Sequence, residues 1–137
     1  MPADVRKADY YYVMVPDKPG EGARILSTLA NTGVNLLAFC GFPEARKAQL
    51  DFVPEDGAAF VKAAKAAGLK LSKRKTAFLI QEEDRPGAVA DIMGKLAKAK
   101  VNVTAIQAAC AGAGRYGALL WVKPAEVRKA AKALGLG

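Results

Sequence analysis

Histidine is absent from all 137 residues, and there are only two cysteines, Cys40 and Cys110. Zinc and nickel sites draw mainly on imidazole and thiolate, so a metal centre has almost no ligands here and none is expected. The two cysteines fall at unrelated places in the repeat described below. That argues against a designed pair and for two reduced, buried thiols. No apolar run reaches the roughly 18 residues of a membrane span. Met1 to Asp9 holds two basic residues but no apolar stretch of a secretory signal. A cytoplasmic protein without a membrane partner is therefore expected.

Catalytic signals are equally scarce. No serine or cysteine stands in a nucleophile motif, and without histidine the commonest general base is missing. Glu82, Glu83 and Asp84 form a local acidic cluster, but the other copy of the repeat has Val15 and Pro16 at the first two of those positions. The glycine-rich Gly112-Ala113-Gly114 lies between two expected strands, so it reads as a hairpin turn rather than a phosphate loop, which opens a helix. No catalytic residue, cofactor or enzyme activity is expected. The net charge is +8, a balance that can serve anionic partners. Aromatics are few, however, and are not interleaved with the basic residues as on a base-stacking surface. Solvated helix faces account for most of the lysines, and nucleic acid is a weak expectation.

What the chain does have is a duplication. Lys62-Ala63-Ala64-Lys65-Ala66-Ala67-Gly68-Leu69 recurs 67 positions later as Lys129-Ala130-Ala131-Lys132-Ala133-Leu134-Gly135-Leu136. The same offset relates Asp17-Lys18-Pro19-Gly20 to Asp84-Arg85-Pro86-Gly87, and Val34-Asn35 to Val101-Asn102. Between Tyr10–Phe42 and Ala77–Ala109 there are ten identities at that offset. Repeats of this kind decide the architecture before any single element does. A 67-residue unit is near the lower limit for burying a core by itself.

Within the first copy, Tyr10 to Val15 is aromatic and β-branched and reads as a strand. Pro16 to Gly20 breaks it. Ile25, Leu26, Leu29 and Ala30 recur at helical spacing, and Gly33 suits a left-handed helix end. Val34 to Phe42 reads as a second strand. In the third, Ala48, Leu50 and Phe52 alternate with Gln49 and Asp51, the pattern of a half-buried strand. A second helix is expected over Asp56 to Ala67, then a short fourth strand at Leu69 and Leu71. The second copy repeats this with strands at Ala77 to Gln81, Asn102 to Ala109 and Tyr116 to Val122, and helices at Gly87 to Ala99 and Pro124 to Leu134. The order is β-α-β-β-α-β, the split βαβ of ferredoxin-like folds. The expected class is α+β: two such units in tandem, residues 1–72 and 73–137, with antiparallel sheets covered by helices on one face.

The second unit has no fourth strand after Leu136. Arg6-Lys7 matches Lys73-Arg74 at the common offset, so the segment near Ala3 to Ala8 is expected to take that edge position, in this chain or in a partner chain. An unfilled edge would expose unpaired backbone groups.

Asp-x-Pro-Gly, an alanine three residues on, an aliphatic residue two further, Leu-Ala four beyond, and Val-Asn before a strand together resemble the signature of the ACT domain. The resemblance spans roughly Tyr10 to Leu71 and Thr76 to Leu134. ACT domains are small regulatory modules that bind amino acids in enzymes and regulators of amino-acid metabolism. The resemblance implies a non-catalytic protein that binds an amino acid between ACT units, forms a homo-oligomer such as a dimer, and signals allosterically to a protein partner in amino-acid metabolism. By that resemblance the ligand-binding residues are Asp17, Lys18, Gly20, Asn35 and Leu37, and Asp84, Arg85, Gly87, Asn102 and Thr104.

Elementary electrostatics suits the role, because a helix N-terminus after a glycine attracts a carboxylate. Plain alternatives stand beside it. Asp17 and Asp84 can cap helices, the Pro-Gly pairs can be turn chemistry, Asn35 and Asn102 can serve the helix-to-strand turn, and Lys18 and Arg85 can be solvated. The copies differ at Leu37/Thr104 and Gly33/Lys100, which leaves open whether both bind. An assembly module without ligand is the alternative function, and a basic nucleic-acid regulator the weaker one. Deletion of Met1 to Lys7 is expected to lower thermal stability or change the oligomeric state measured by light scattering. If neither changes, the edge-strand expectation is wrong.

Overall fold

The computed structural model describes residues 4–136, and Ala3 of the expected edge segment lies outside them. The elements run β1 (Asp4–Pro16), α1 (Glu21–Asn31), β2 (Leu36–Glu44), β3 (Lys47–Pro54), α2 (Gly57–Ala66), β4 (Lys75–Glu83), α3 (Ala88–Lys98), β5 (Val103–Gly112), β6 (Arg115–Val122), a 3-10 turn (Pro124–Glu126) and α4 (Val127–Ala133). They form two compact units, one of residues 9–75 and one of residues 1–8 with 76–137. Each has the α+β, ferredoxin-like arrangement expected for its half.

In the unit of residues 9–75, β3 lies antiparallel between β2 and β1. Tyr11, Val13 and Val15 of β1 and Leu50 and Phe52 of β3 point to one face, where Ile25 and Leu29 of α1 and Phe60 of α2 cover them. Ile25 and Leu29 are one helical turn apart and so share a face; each is 1% exposed. Phe60 is wholly buried, with ring centroids 5.4 Å from Tyr11 and 5.3 Å from Phe52. Burying one such ring contributes about 1.5–3 kcal/mol.

The segment at Leu69 and Leu71 is not a strand. Both leucines pack against the core as expected, but the ladder fails at Ser72. Its amide donates to the Tyr12 carbonyl at 2.9 Å, while the Tyr12 amide donates to Ser72 Oγ at 3.0 Å instead of to a carbonyl. A side-chain oxygen thus replaces the backbone partner that would carry the ladder onward.

In the other unit, β6 lies antiparallel between β4 and β5. Ile92 and Leu96 of α3, with Ala130 and Ala131 of α4, cover Phe78 and Ile80 of β4 and Leu120 and Val122 of β6. Val5, in the stretch of β1 that belongs to this unit, packs against the same core. Pro124 starts a 3-10 turn, so the last α-helix begins at Val127, three residues later than the sequence pattern suggests.

Helix ends repeat in geometry more than in residue type. After α1 the amides of Gly33 and Val34 donate to the carbonyls of Ala30 and Leu29 at 3.0 and 3.1 Å, with Gly33 at φ 79°. After α3 the amides of Lys100 and Val101 donate to Ala97 and Leu96 at 2.9 Å each, with Lys100 at φ 60°. Both are Schellman ends, but a residue with a Cβ pays about 1–2 kcal/mol for the left-handed conformation. Lys100→Gly is therefore expected to raise unfolding stability by about 1 kcal/mol, read from urea denaturation.

Candidate functional site

The two Asp-x-Pro-Gly turns join β1 to α1 and β4 to α3. Gly20 is the N-cap of α1 at φ 93°, and Gly87 the N-cap of α3 at φ 84°. This left-handed conformation is one that glycine adopts without penalty. No side chain caps either helix, so the capping alternative for Asp17 and Asp84 fails. Helix N-termini leave their first N–H groups without intrahelical partners. Here the first of these are held by the turn itself: Glu21 donates to the Lys18 carbonyl at 3.5 Å and Ala88 to the Arg85 carbonyl at 3.2 Å. Space beside Gly20 is open, with no atom within 4 Å of where a Cβ would stand.

The first turn thus brings together Asp17, Lys18 and Gly20, with both side chains exposed. Asn35 and Leu37 lie elsewhere in the unit, at the start of β2. The Asn35 amide nitrogen donates to Glu55 Oε2 at 3.3 Å, and the Glu55 backbone N–H to the Asn35 carbonyl at 2.9 Å. Asn35 therefore clasps the loop after β3. Leu37 sits where the β2–β3 register shifts, between Leu36 and Ala38, and is 37% exposed. Thr104 occupies the matching irregularity of β5, between Val103 and Ala105, and is exposed too. A bulge re-aims a side chain away from strict alternation, and both candidates share that device.

The second turn is more crowded. The Asp84 amide donates to the Gly114 carbonyl at 2.8 Å, and a hydrogen bond with Asp84 is the main reason the Cys110 thiol has a raised pKa. Cys110 is exposed, against the expectation of two buried thiols, whereas Cys40 is buried. Arg85 is not simply solvated. Its guanidinium pairs with Asp91 in the first turn of α3 and donates to the Pro86 carbonyl at 3.3 Å. That folds Nη1 back to 3.8 Å from a Cβ position on Gly87. Nearby, Tyr116 donates its hydroxyl to Glu82 Oε2 at 2.6 Å. Burial first, and this bond second, push the Tyr116 pKa up. Asn102 is exposed, and by strand register the position that corresponds to Glu55 holds Lys123, whose ammonium cannot accept from an asparagine side-chain amide as Glu55 does.

Sequence patterning missed two features. Asp91 and Cys110 are near the second turn in space but carry no spacing signal, since Cys110 comes from the far end of β5. Asp51 alternates with core residues, which suggests a solvent-facing position, yet it is 1% exposed. Its Oδ1 accepts from Gln49 Nε2 at 2.9 Å, while Oδ2 is buried without a hydrogen-bond partner among the described residues. Cys40 and Tyr12 flank it across the neighbouring strands, and Lys75 Nζ stands 5.5 Å above the Tyr12 ring. Burial raises the Asp51 pKa, with Gln49 and then Lys75 opposing it. Among the described residues no group of three or more acids and cysteines converges in a way that could hold a metal ion. No helix among them is long and apolar enough to cross a membrane.

No protein-family model matches the sequence, and no curated protein matches it. Solved structures do match. A protein from Bacteroides thetaiotaomicron is 21% identical, with a TM-score of 0.81 over 95% of this chain and 88% of its own. The ligand-free regulatory subunit of aspartate kinase from Thermus thermophilus is 15% identical, with a TM-score of 0.66 over 98% and 95%. The corresponding subunit from Thermus flavus is 19% identical, with a TM-score of 0.62 over 97% and 95%. Likeness at these identities is a likeness of fold: two ferredoxin-like units in tandem, the arrangement that the ACT resemblance of the two Asp-x-Pro-Gly turns implies.

Asp51 yields a test with a defined sign. A carboxyl whose pKa is raised in the folded state favours folding when protonated. Its contribution is complete below the ordinary carboxylate value of about 3.9 and is lost as pH rises from there through the raised folded value. Asp51→Asn is expected to raise the thermal midpoint at pH 7 and to flatten its fall with pH over that window, followed by circular dichroism.

Proposed function

We propose that this chain is a non-catalytic regulatory protein that binds an amino acid or a similar small zwitterion at its ACT turns. The observation that supports this most directly is the state of the two helix N-termini. Each follows a left-handed glycine, neither carries a side-chain cap, and the first opens onto free space. A ligand carboxylate is suited to that position by the partial positive charge of the helix end. Its ammonium group then requires an acceptor, for which Asp17 and Asp84 are placed on the same turns. In this reading Asp17, Lys18 and Gly20 form the turn part of one site and Asp84, Arg85 and Gly87 that of the other, while Asn35, Leu37, Asn102 and Thr104, at the starts of β2 and β5, are the strand residues offered to a ligand held at the turn of another ACT unit.

The reading draws further support from the structural neighbours described as regulatory subunits of aspartate kinase. It extends to a cytoplasmic homo-oligomer, such as a dimer, that passes the ligand signal to a protein partner in amino-acid metabolism. Regulation of that kind needs a ligand that binds two states of the protein with different affinity. The exposed Leu37 and Phe39 favour an aliphatic or aromatic side chain on the ligand.

A thermal-shift screen against the twenty amino acids, confirmed by calorimetry, tests the proposal. A ligand at 100 times its Kd adds about 2.7 kcal/mol to stability, which raises the midpoint by several degrees in a chain of this size. The expected result is at least one saturable hit, weakened at least tenfold when Asp17 and Asp84 are both replaced by alanine. No hit at millimolar concentration would reject amino-acid binding and favour the assembly role.

A further inference from the structure

The unit of residues 9–75 contains an open cleft of about 620 Å³ away from the Asp-x-Pro-Gly turn, bounded by the start of β1, the α2 surface and the segment before β4. Its lining includes Asp9, Tyr11, Gly57, Lys62, Lys65 and Arg74. Lys62 and Lys65 are three positions apart on α2, so they share one face. Tyr11 puts its ring into the core against Phe60 and sends its hydroxyl out to the cleft floor. Gly57 keeps that floor open. A Cβ there would stand 3.5 Å from Asp9 Oδ2 and 4.0 Å from the Tyr11 hydroxyl oxygen.

Three cations against one carboxylate give the cleft a net positive field. The Tyr11 pKa is raised, by burial first and by Asp9 second, with Arg74 opposing. The phenol therefore keeps its proton at neutral pH and is available as a donor. The duplication supplies a control within the molecule. At the offset of 67, Lys62 and Lys65 become Lys129 and Lys132, but Asp9 becomes Thr76, Tyr11 becomes Phe78 and Gly57 becomes Pro124. The helix lysines are common to both copies. The carboxylate and the phenol of the floor belong to the first copy alone.

We infer that this cleft is a second ligand site, for a small molecule bearing a multivalent oxyanion and at least one hydroxyl or amine. The anionic oxygens meet Lys62, Lys65 and Arg74, the Tyr11 hydroxyl donates to one of them, and Asp9 accepts from the ligand's own donor. Phosphate esters and polycarboxylates share this chemistry. The site stands apart from the turns proposed to bind amino acids, and its test does not depend on them.

Titration calorimetry of the full chain with glycerol phosphate and, separately, with citrate distinguishes the two sources. The expected result is saturable binding of at least one probe, weakened about tenfold or more by Arg74→Gln and by Tyr11→Phe, the loss of a charge-assisted hydrogen bond in each case. Tyr11→Phe introduces the residue that the other copy carries in its core, and both variants are checked for native circular dichroism. Lys132→Gln, at the exposed counterpart of Lys65 in the other copy, is expected to leave probe binding unchanged. Absence of binding by both probes at 10 mM overturns the inference, as does binding that survives either substitution in the cleft.

Discussion

Each unit depends on one pair of aliphatic side chains a helical turn apart. Ile25 and Leu29 close one core, Ile92 and Leu96 the other, and all four are at most 2% exposed. Because the pairs sit four residues apart, they fix which face of α1 and α3 meets the sheet. That choice sets the direction in which each helix begins, and hence where its N-terminal amides point. The left-handed glycine immediately before each helix is the other half of the constraint. The chain turns sharply out of a strand and into a helix within a few residues, with no side chain spent on the cap.

This economy shapes the two candidate sites differently. In the first copy the turn carries Lys18 and stays open at Gly20. In the second, Arg85 reaches Asp91 and lies across the approach to Gly87. An exposed ion pair of this type is worth little in stability, about 0–1 kcal/mol. Its effect on access is larger, because a planar guanidinium close to the glycine occupies room a ligand would use. The copies therefore share a scaffold and differ in what the scaffold presents. The cleft at Asp9, Tyr11 and Arg74 extends that asymmetry to the opposite end of α1's unit, where the two copies keep the same helix lysines on unlike floors.

Much of this was legible in the sequence, for a definable reason. Periodicity reports which side of an element is apolar, and duplicated identities report which positions are equivalent. Together they placed the strands, the helices and both Asp-x-Pro-Gly turns. They were weaker where a side chain takes over a backbone role. Ser72 ends the ladder at Tyr12 through its hydroxyl, and a leucine-lysine alternation cannot signal that. Nor does alternation register a bulge, so the shared irregularity at Leu37 and Thr104 emerged only from the strand registers.

The sequence by itself determined the duplication, the α+β class and the positions of the two glycine turns, all of which follow from local chemistry repeated at one offset, and the structure added that neither turn carries a side-chain cap. Tertiary structure alone decided that Asp51 is buried with one oxygen unpartnered, that Cys110 meets Asp84, and that Asp9, Tyr11 and Arg74 line one cleft. Burial and convergence are set by residues distant in the chain. A pattern read along one strand shows which way a side chain points, and only the folded chain shows what it meets there.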